Sequence, residues 1–560
     1  MAAMKRKYLI SFTGILLILI FINLAGQFVF KRFDLTQDRR YTLSPTTLSI
    51  VEQVKEPLFI DVYLEGQFPA DLRRLQEETR QLLEEFTAYN SNISFQFVNP
   101  LENQADQMQI AEQLYANGMK PISMTLNDKG KQSQEMVFPW AVATYGDRHA
   151  KIPLLKNIMG ISTEDKVLSS VQHLEYAIAD AVNTVIHEKT KKIAVIKGIG
   201  ELEDVYMADF LKSVRENYYI APFTLDSVAQ NPNKTLQQLK EYDLAIIAKP
   251  TKPITEDKIQ VLDQFVMNGG KTLWLIDQVQ ADMDSLTKTG GMLAYPKDFS
   301  LSELLFKYGV RVNPTLIMDE VATPIKLATG QQGSETTYQE YMWKFAPYAL
   351  GNPGHPITKN IEGVKFDFAN GIDTLKNNIS KTVLLRSSEY SKPLGTPLEI
   401  DLKKGIDKTP LESYQGKGNI PLAVLLEGTF TSAYKNRILP FKEPDYKDSG
   451  VANKMVVISD GDLIRNQLDQ NGAPMELGYD KWTNNLFGNK EFLLNTVNYL
   501  LDDTGLIQLR TKDVKLALLD KEKVHNDYTQ IQILIVVLPV AVIILFGWIF
   551  TFLRKKKYRR

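Results

Sequence analysis

Long apolar runs occupy both ends of this chain, and shorter strand-like and helix-like rhythms fill the residues between them. Tyr8–Phe30 is mostly apolar and follows Lys5, Arg6 and Lys7. Ile533–Phe552 holds no charge and stops against Arg554, Lys555, Lys556, Lys557, Arg559 and Arg560. A bilayer core takes about 20 apolar residues of helix, and both runs supply that length. Pro539, inside the second run, is a residue that membrane helices tolerate. The first run carries Ser11, Thr13, Asn23 and Gln27. It is nevertheless longer than the apolar core of a signal peptide, about 7–15 residues, and Asn23-Leu24-Ala25 is a poor cleavage site. An uncleaved anchor is therefore predicted. Lys and Arg flanks stay in the cytoplasm, so both termini are expected there, with two spans and the main domain outside.

Between the runs, a polar connector (Phe33-Asp34-Leu35-Thr36, then Arg40-Tyr41-Thr42-Leu43-Ser44) ends in a cap signal before a helix around Pro45–Lys55. Leu58–Leu64 alternates as a strand does, and Ala70–Tyr89 puts Leu72, Leu75, Leu82, Leu83 and Phe86 on one helical face. Ile93–Val98 predicts a strand and Ala105–Ala116 a helix. Ile122–Leu126 and Glu135–Ala143 read as a closing pair around Asp128-Lys129-Gly130. This β-α-β-α-β-β order, with Pro121 just before the third strand, resembles a thioredoxin-like unit without its Cys pair.

Ser162-Thr163-Glu164-Asp165 has capping-box spacing and opens a predicted helix over Thr163–Lys189, striped by Val167, Val171, Leu174, Ile178, Val182 and Val185. Strands at Lys192–Ile196, Tyr218–Leu225, Leu244–Ala248 and Thr272–Ile276 then alternate with helices near Asp204–Glu216, Lys234–Tyr242 and Thr255–Asn268. Continuous apolar strands in βαβα order predict a parallel sheet covered on both faces. A helix–strand pair covers Leu301–Met318. Residues 325–420, rich in Gly, Pro, Ser and Tyr, read as an insertion with long loops. Strands at Leu422–Glu427 and Lys454–Ser459 and a helix at Lys490–Leu501 complete the pattern. The predicted fold is α/β, with two extracytoplasmic units between transmembrane helices. Its domains are an anchor (1–32), a first unit with its long helix (33–190), a second unit (191–505), a connector (506–530), and a helix with a basic tail (531–560).

Charge sharpens this division. Nine of the 65 Lys and Arg residues flank the apolar runs, which leaves 56 against 66 Asp and Glu. The outer region is thus acidic, which argues against nucleic acid and anionic lipid headgroups as its partners. The chain has no cysteine, so disulfides, thiolate metal sites and Cys nucleophiles are excluded. An outer domain without disulfides suggests a bacterium and a large core rather than a small stapled scaffold. His149, His173, His187, His355 and His525 show no metal-ligand spacing.

Two places carry candidate chemistry. Gly198-Ile199-Gly200-Glu201-Leu202-Glu203-Asp204 follows a buried strand and opens a helix, where dinucleotide folds place G-x-G-x-x-G. Here Glu203 replaces the third glycine, and Glu201 and Asp204 suit the positive end of a helix dipole but would repel a pyrophosphate. A tight acidic turn is expected instead. Asp460-Gly461-Asp462 sits at the C-terminal end of a predicted strand, the edge where open α/β sheets bind ligands. Two carboxylates there suit a cation or a proton, or cap a turn. Gly198, Gly200, Glu201, Asp460 and Asp462 are thus the candidate ligand edge. Gly269-Gly270-Lys271-Thr272 imitates the end of a phosphate loop but runs from helix to strand, as a helix stop does. No G-x-S-x-G or H-E-x-x-H pattern occurs. Neither catalytic residues nor a bound cofactor or metal is expected.

Several stretches together resemble the gliding-motility-associated ABC transporter auxiliary family (GldG-like proteins) of the Bacteroidetes. They are Arg32-Phe33-Asp34-Leu35-Thr36 with Arg40-Tyr41-Thr42-Leu43-Ser44, His355-Pro356-Ile357-Thr358-Lys359-Asn360, and Leu425-Leu426-Glu427-Gly428-Thr429-Phe430-Thr431-Ser432-Ala433-Tyr434-Lys435-Asn436-Arg437. Val457-Ile458-Ser459-Asp460-Gly461-Asp462 and Phe492-Leu493-Leu494-Asn495 through Leu500-Leu501-Asp502-Asp503 complete the set. The resemblance implies a non-ATPase subunit working with a GldA-like ATPase and a GldF-like polytopic permease. It also implies that the second unit is similar to class I glutamine amidotransferase-like folds, without their Cys nucleophile. The rival expectations are an extracytoplasmic ligand-binding module for a peptide, sugar or lipid, and an enzyme using Asp460 and Asp462.

Overall fold

The computed structural model describes residues 12–21, 42–102, 106–128, 131–156, 158, 161–333, 335–512 and 521–558. Of the first apolar run, Phe12–Phe21 forms a helix, α1. The rest of that run, the connector up to Tyr41, turn residues Lys129 and Gly130, residues 513–520 and the last two arginines lie outside the described residues. The chain divides into a body ending at Lys512 and a C-terminal segment, Asp513–Arg560.

In the first part of the body, β1 (Leu58–Val62) and β2 (Ile93–Phe97) run parallel, with Leu58 opposite Ile93. The crossover between them is α3 (Ala70–Tyr89), which buries Leu72, Leu75, Leu82, Leu83 and Phe86, the predicted apolar face. The closing pair differs from the expectation. Ile122–Asp128 (β3) and Lys131–Val137 (β4) pair only with each other, as a separate ribbon. The sheet is closed by β5 (Trp140–Tyr145), antiparallel to β1, and β6 (Arg148–Pro153), in the order β2-β1-β5-β6. Pro139 has no N–H to continue a ladder, so the chain breaks at Phe138-Pro139 and begins a new strand. The polar sequence of β6 hides it: its burial pattern leaves only Ile152 fully covered.

Helix α5 (Thr163–Ile186) begins as predicted, with the Ser162 hydroxyl accepting from the Asp165 N–H at 3.1 Å. Its apolar stripe of Val167, Val171, Leu174, Ile178, Val182 and Val185 is buried. This helix packs on α3, β5 and β6.

The second sheet combines parallel and antiparallel halves. Its strands are β7 (Lys192–Lys197), β8 (Tyr219–Thr224), β9 (Leu244–Ala248), β10 (Lys271–Leu275), β11 (Ala322–Gln332), β12 (Glu335–Gly351), β13 (Ser380–Arg386), β14 (Pro421–Thr431) and β15 (Ser449–Ile458). They lie in the order β11-β12-β13-β14-β15-β10-β9-β7-β8. From β15 to β8 all pairs are parallel, whereas β14, β13, β12 and β11 join antiparallel. The stretch expected to be looped therefore gives this sheet β12, β13 and most of β11, with loops between them. The Thr- and Tyr-rich outer part of the β11–β12 ribbon is exposed, as at Tyr338 and Met342, and lacks the apolar run that betrays a buried strand, whereas Trp343, Phe345 and Ala346 further along β12 are fully buried.

Every side chain of β9 is buried, and Trp274 on β10 is fully covered. The crossover helices are α6 (Ala208–Asn217), α7 (Pro232–Leu239) and α8 (Glu256–Met267). Gly269 (φ +96°) stops α8, as the sequence predicts. Helix α9 (Asn489–Leu501) packs on β10 and β15.

The stretch from Thr42 to Lys512 closes on itself, because its two ends meet. Ser44 caps α2 (Pro45–Glu52), accepting from the Thr47 N–H at 3.0 Å. The buried Glu175 carboxylate of α5 accepts from the Ser44 N–H at 2.7 Å and the Thr47 hydroxyl at 2.8 Å. Its other oxygen accepts from Lys512 Nζ at 2.7 Å, and Lys512 also donates to the Thr42 carbonyl at 2.9 Å.

In the C-terminal segment, α10 (Tyr528–Tyr558) spans 31 residues with Pro539 inside it. At about 1.5 Å per residue it exceeds the hydrocarbon thickness of about 30 Å, and it is apolar enough to cross a membrane.

Candidate functional site

Three neighbouring parallel strands, β9, β10 and β15, end side by side, and the first charged residues beyond each converge. Lys249 follows β9 directly in a left-handed conformation (φ +50°), with its N–H on the Leu275 carbonyl at 2.9 Å. Asp277 lies two residues past β10, and Asp460-Gly461-Asp462 follows β15. One carboxylate oxygen from each of Asp277, Asp460 and Asp462 falls within 4.8 Å of the others.

Backbone donors hold this cluster in place. Asp460 is fully buried and accepts from the Asp367 N–H at 2.6 Å and the Asp462 N–H at 2.7 Å. Asp277 accepts from the Gly461 N–H at 2.5 Å. A Cβ at position 461 would come within 2.7 Å of Lys249 Cγ and 3.0 Å of Asp277 Oδ2, so only glycine lets the two loops approach this closely.

One ammonium sits among the carboxylates. Lys249 Nζ bonds to Asp462 and lies 3.5 Å from Asp277 Oδ2. Arg465 approaches Asp462 at 3.7 Å and bonds to Asp284 at 2.8 Å, with its guanidinium over the Tyr206 ring. Asp277 Oδ2, Asp367 Oδ1 and Asp462 Oδ1 are buried, and among the described residues none donates a hydrogen bond to them.

Burial, reinforced by Asp277, Asp462 and Asp367, pushes the Asp460 carboxyl well above the usual carboxylate range. Burial also raises Asp277, although Lys249 opposes the shift. For Lys249 itself burial disfavours the charge, but Asp462 and Asp277 outweigh it and hold the proton more tightly than usual. Such an arrangement takes up protons readily and favours cations, and Lys249 already supplies one. Lys249 is therefore the counter-charge the carboxylates require, since an unpaired buried charge is costly.

The other candidate residues lie along the same edge but outside this cluster. Gly198 (φ +85°) and Gly200 (φ +73°) shape the turn after β7, where a Cβ would meet Asp226 or Thr251 at 2.6 and 2.4 Å. Glu201 folds back to accept from the Ile199 N–H at 3.0 Å and faces Lys197 at 3.9 Å. Lys197 also pairs with Asp204 at 2.6 Å. The acids of this turn are thus answered locally.

Asp460 and Asp462 stand together as their spacing implies. Lys249, Asp277 and Asp367 were not legible as partners, because they lie far away in sequence. Lys249 and Asp277 did carry one signal: each is the first charged residue after a continuous apolar strand.

Comparison with known proteins gives the following. A family model described as an ABC-type uncharacterized transport system, auxiliary component, matches residues 190–496, more than half of the chain. A second, a domain of unknown function (DUF7088), matches residues 37–144. A protein of Borreliella burgdorferi described as an uncharacterized protein is 21% identical over 558 residues, covering 97% of this chain and 96% of its own. Among solved structures, the mmIFT52 N-terminal domain is similar over 56% of this chain and 99% of its own length, at 14% identity and a TM-score of 0.32.

Proposed function

Because this chain belongs to the ABC-type uncharacterized transport system family, we propose that it is the auxiliary, non-ATPase subunit of an ABC transporter complex. In this reading α1 lies in one span and α10 in another, both termini are cytoplasmic, and the body lies outside, over a polytopic permease. The body's task is structural and coupling rather than enzymatic. A GldA-like ATPase, a GldF-like permease and a link to gliding motility belong to the same proposal, on the strength of the sequence motifs. So do the two-unit reading, thioredoxin-like before residue 190 and amidotransferase-like after it, and the inner-membrane, periplasm-facing location.

The observation that carries the reading is the meeting of Thr42 and Lys512 at 2.9 Å. Thr42 and Lys512, the described residues next to the two connectors, lie side by side, which suits a body held by two spans on one side of one membrane. Affinity purification of the full chain from its own membrane in mild detergent tests it. An ATPase and a polytopic protein co-eluting at fixed stoichiometry are expected; recovery of the chain alone, with other membrane complexes intact, would overturn it.

A second reading draws on the orphaned oxygens of Asp277 and Asp462: an extracytoplasmic ligand-binding module using the edge formed by Asp460, Asp462 and the Gly198–Glu201 turn. Saturable, ligand-dependent stabilisation of the chain would favour it.

A further inference from the structure

The carboxylate of Glu175 joins three segments far apart in sequence, and its two oxygens divide the work. Oε1 receives the incoming segment, through Ser44 N–H and Thr47 Oγ1; Oε2 receives the outgoing one, through Lys512. Lys512 closes the loop onto Thr42, 470 positions away. Glu175 is 6% exposed and Thr47 fully buried, so water does not replace these contacts cheaply.

The outgoing segment is gripped a second time. Arg510, 3% exposed, donates to the carbonyls of Pro356 at 2.9 Å and Lys359 at 3.1 Å and to Glu491 of α9 at 3.0 Å. Its guanidinium lies 5.3 Å from the Tyr176 ring, one residue beyond Glu175 on α5. Lys156, at the end of the first sheet's last connection, reaches the same Glu491 oxygen at 2.7 Å. Glu491 thereby ties the outgoing segment to both parts of the body.

We propose that Glu175–Lys512 and Arg510–Glu491 form a clamp that binds both membrane-proximal segments to α5 and α9 as one cooperative unit, so that displacing either segment moves both sheets. The clamp is a conformational device, and its role in coupling rests on the transporter-subunit reading above. In each pair one group is buried, Glu175 and Arg510, while Lys512 and Glu491 are partly exposed, and a buried charge that loses its partner is left desolvated and unpaired. The clamp therefore holds or releases as a whole rather than loosening contact by contact.

Hydrogen exchange read by mass spectrometry on the full chain in lipid nanodiscs tests this. Lys512→Met removes the outgoing partner and leaves every residue of the incoming segment unchanged. Exchange should rise about tenfold or more across residues 42–52 and 163–186 as well as 506–512. Glu175→Gln keeps the Oε1 contacts and turns a donor toward Lys512, so it should open the same three stretches. Lys512→Arg should restore protection, and β9 should stay protected throughout, which separates clamp release from unfolding. Faster exchange confined to 506–512 in Lys512→Met would overturn the clamp.

The reading on which it rests is judged separately, by co-purification. In the purified complex, ATP should change exchange at 42–52, 163–186 and 506–512 together, and in Lys512→Met the change should no longer reach 163–186. An ATP response reaching α5 unaltered in that variant would also overturn the proposal.

Discussion

Replacing Lys249 by Met removes the only ammonium among the described residues in contact with Asp462 while keeping an unbranched apolar stem. The side chains involved are 12% (Lys249), 7% (Asp277) and 10% (Asp462) exposed. Breaking a buried pair by deleting one partner costs about 3–5 kcal/mol. The cluster has one escape: the carboxylates neutralise by taking up a proton, and Asp277 and Asp460 already sit above their ordinary range. Uptake of one extra proton becomes easier by about 1.4 kcal/mol for each pH unit of acidification. A penalty of about 4 kcal/mol at pH 8 should therefore fall to about 1 kcal/mol or less near pH 5. The assay is native-state hydrogen exchange of the peptide covering β10 and Asp277 in the full chain, corrected for the intrinsic pH dependence of exchange. At pH 8 the variant should lose about a thousandfold in protection, since 1.4 kcal/mol corresponds to a factor of ten. A loss below tenfold at pH 8, or a loss independent of pH, would refute the argument that Lys249 balances ionised carboxylates.

Asp460→Asn should show the opposite pH trend. A carboxyl raised in the fold supports stability below its unfolded value, and that support is lost as pH rises toward the folded one. Asn does not ionise and loses one of two N–H acceptor contacts, so its cost of about 1–3 kcal/mol should be greatest near pH 5 and shrink by pH 8 in urea unfolding; a cost that grows with pH would show Asp460 ionised in the fold. The cysteine-free sequence makes topology directly testable. In spheroplasts, a membrane-impermeant maleimide should label Ile438→Cys, 96% exposed in the body, but Ala2→Cys and Arg560→Cys only after lysis. Labelling of either terminus in intact spheroplasts would rule out the two-span arrangement.

Local pattern was enough to locate the longer helices and the buried strands of the parallel half of the second sheet. The stripe of Leu and Phe on α3, the capping residues of α5 and the unbroken apolar run of β9 each declare an element from neighbouring residues alone. Both apolar end runs and the absence of cysteine are likewise properties of the chain as written, and they set the membrane expectation and exclude thiol chemistry before any folding is considered. Asp460 and Asp462 were legible for the same reason, as two carboxylates past a strand end.

Pairings were not legible, because a ladder partner is chosen by burial and geometry across hundreds of residues. Nothing local to Arg148–Pro153 announces that it completes the first sheet, and nothing in the Thr- and Tyr-rich β11 and β12 shows that they extend the second. The site shows the same limit more sharply. Lys249, Asp277 and Asp460 become one cluster only because β9, β10 and β15 lie in register, which forces the first charged residues beyond them into a single buried space. Glu175 and Lys512 read as ordinary helix and connector charges until the fold brings them within 2.7 Å. Sequence determined where the periodic helices and apolar strands lie and where charge is available. Tertiary structure decided which charges must answer one another, since the cost of an unpaired charge arises only once the fold has removed the water.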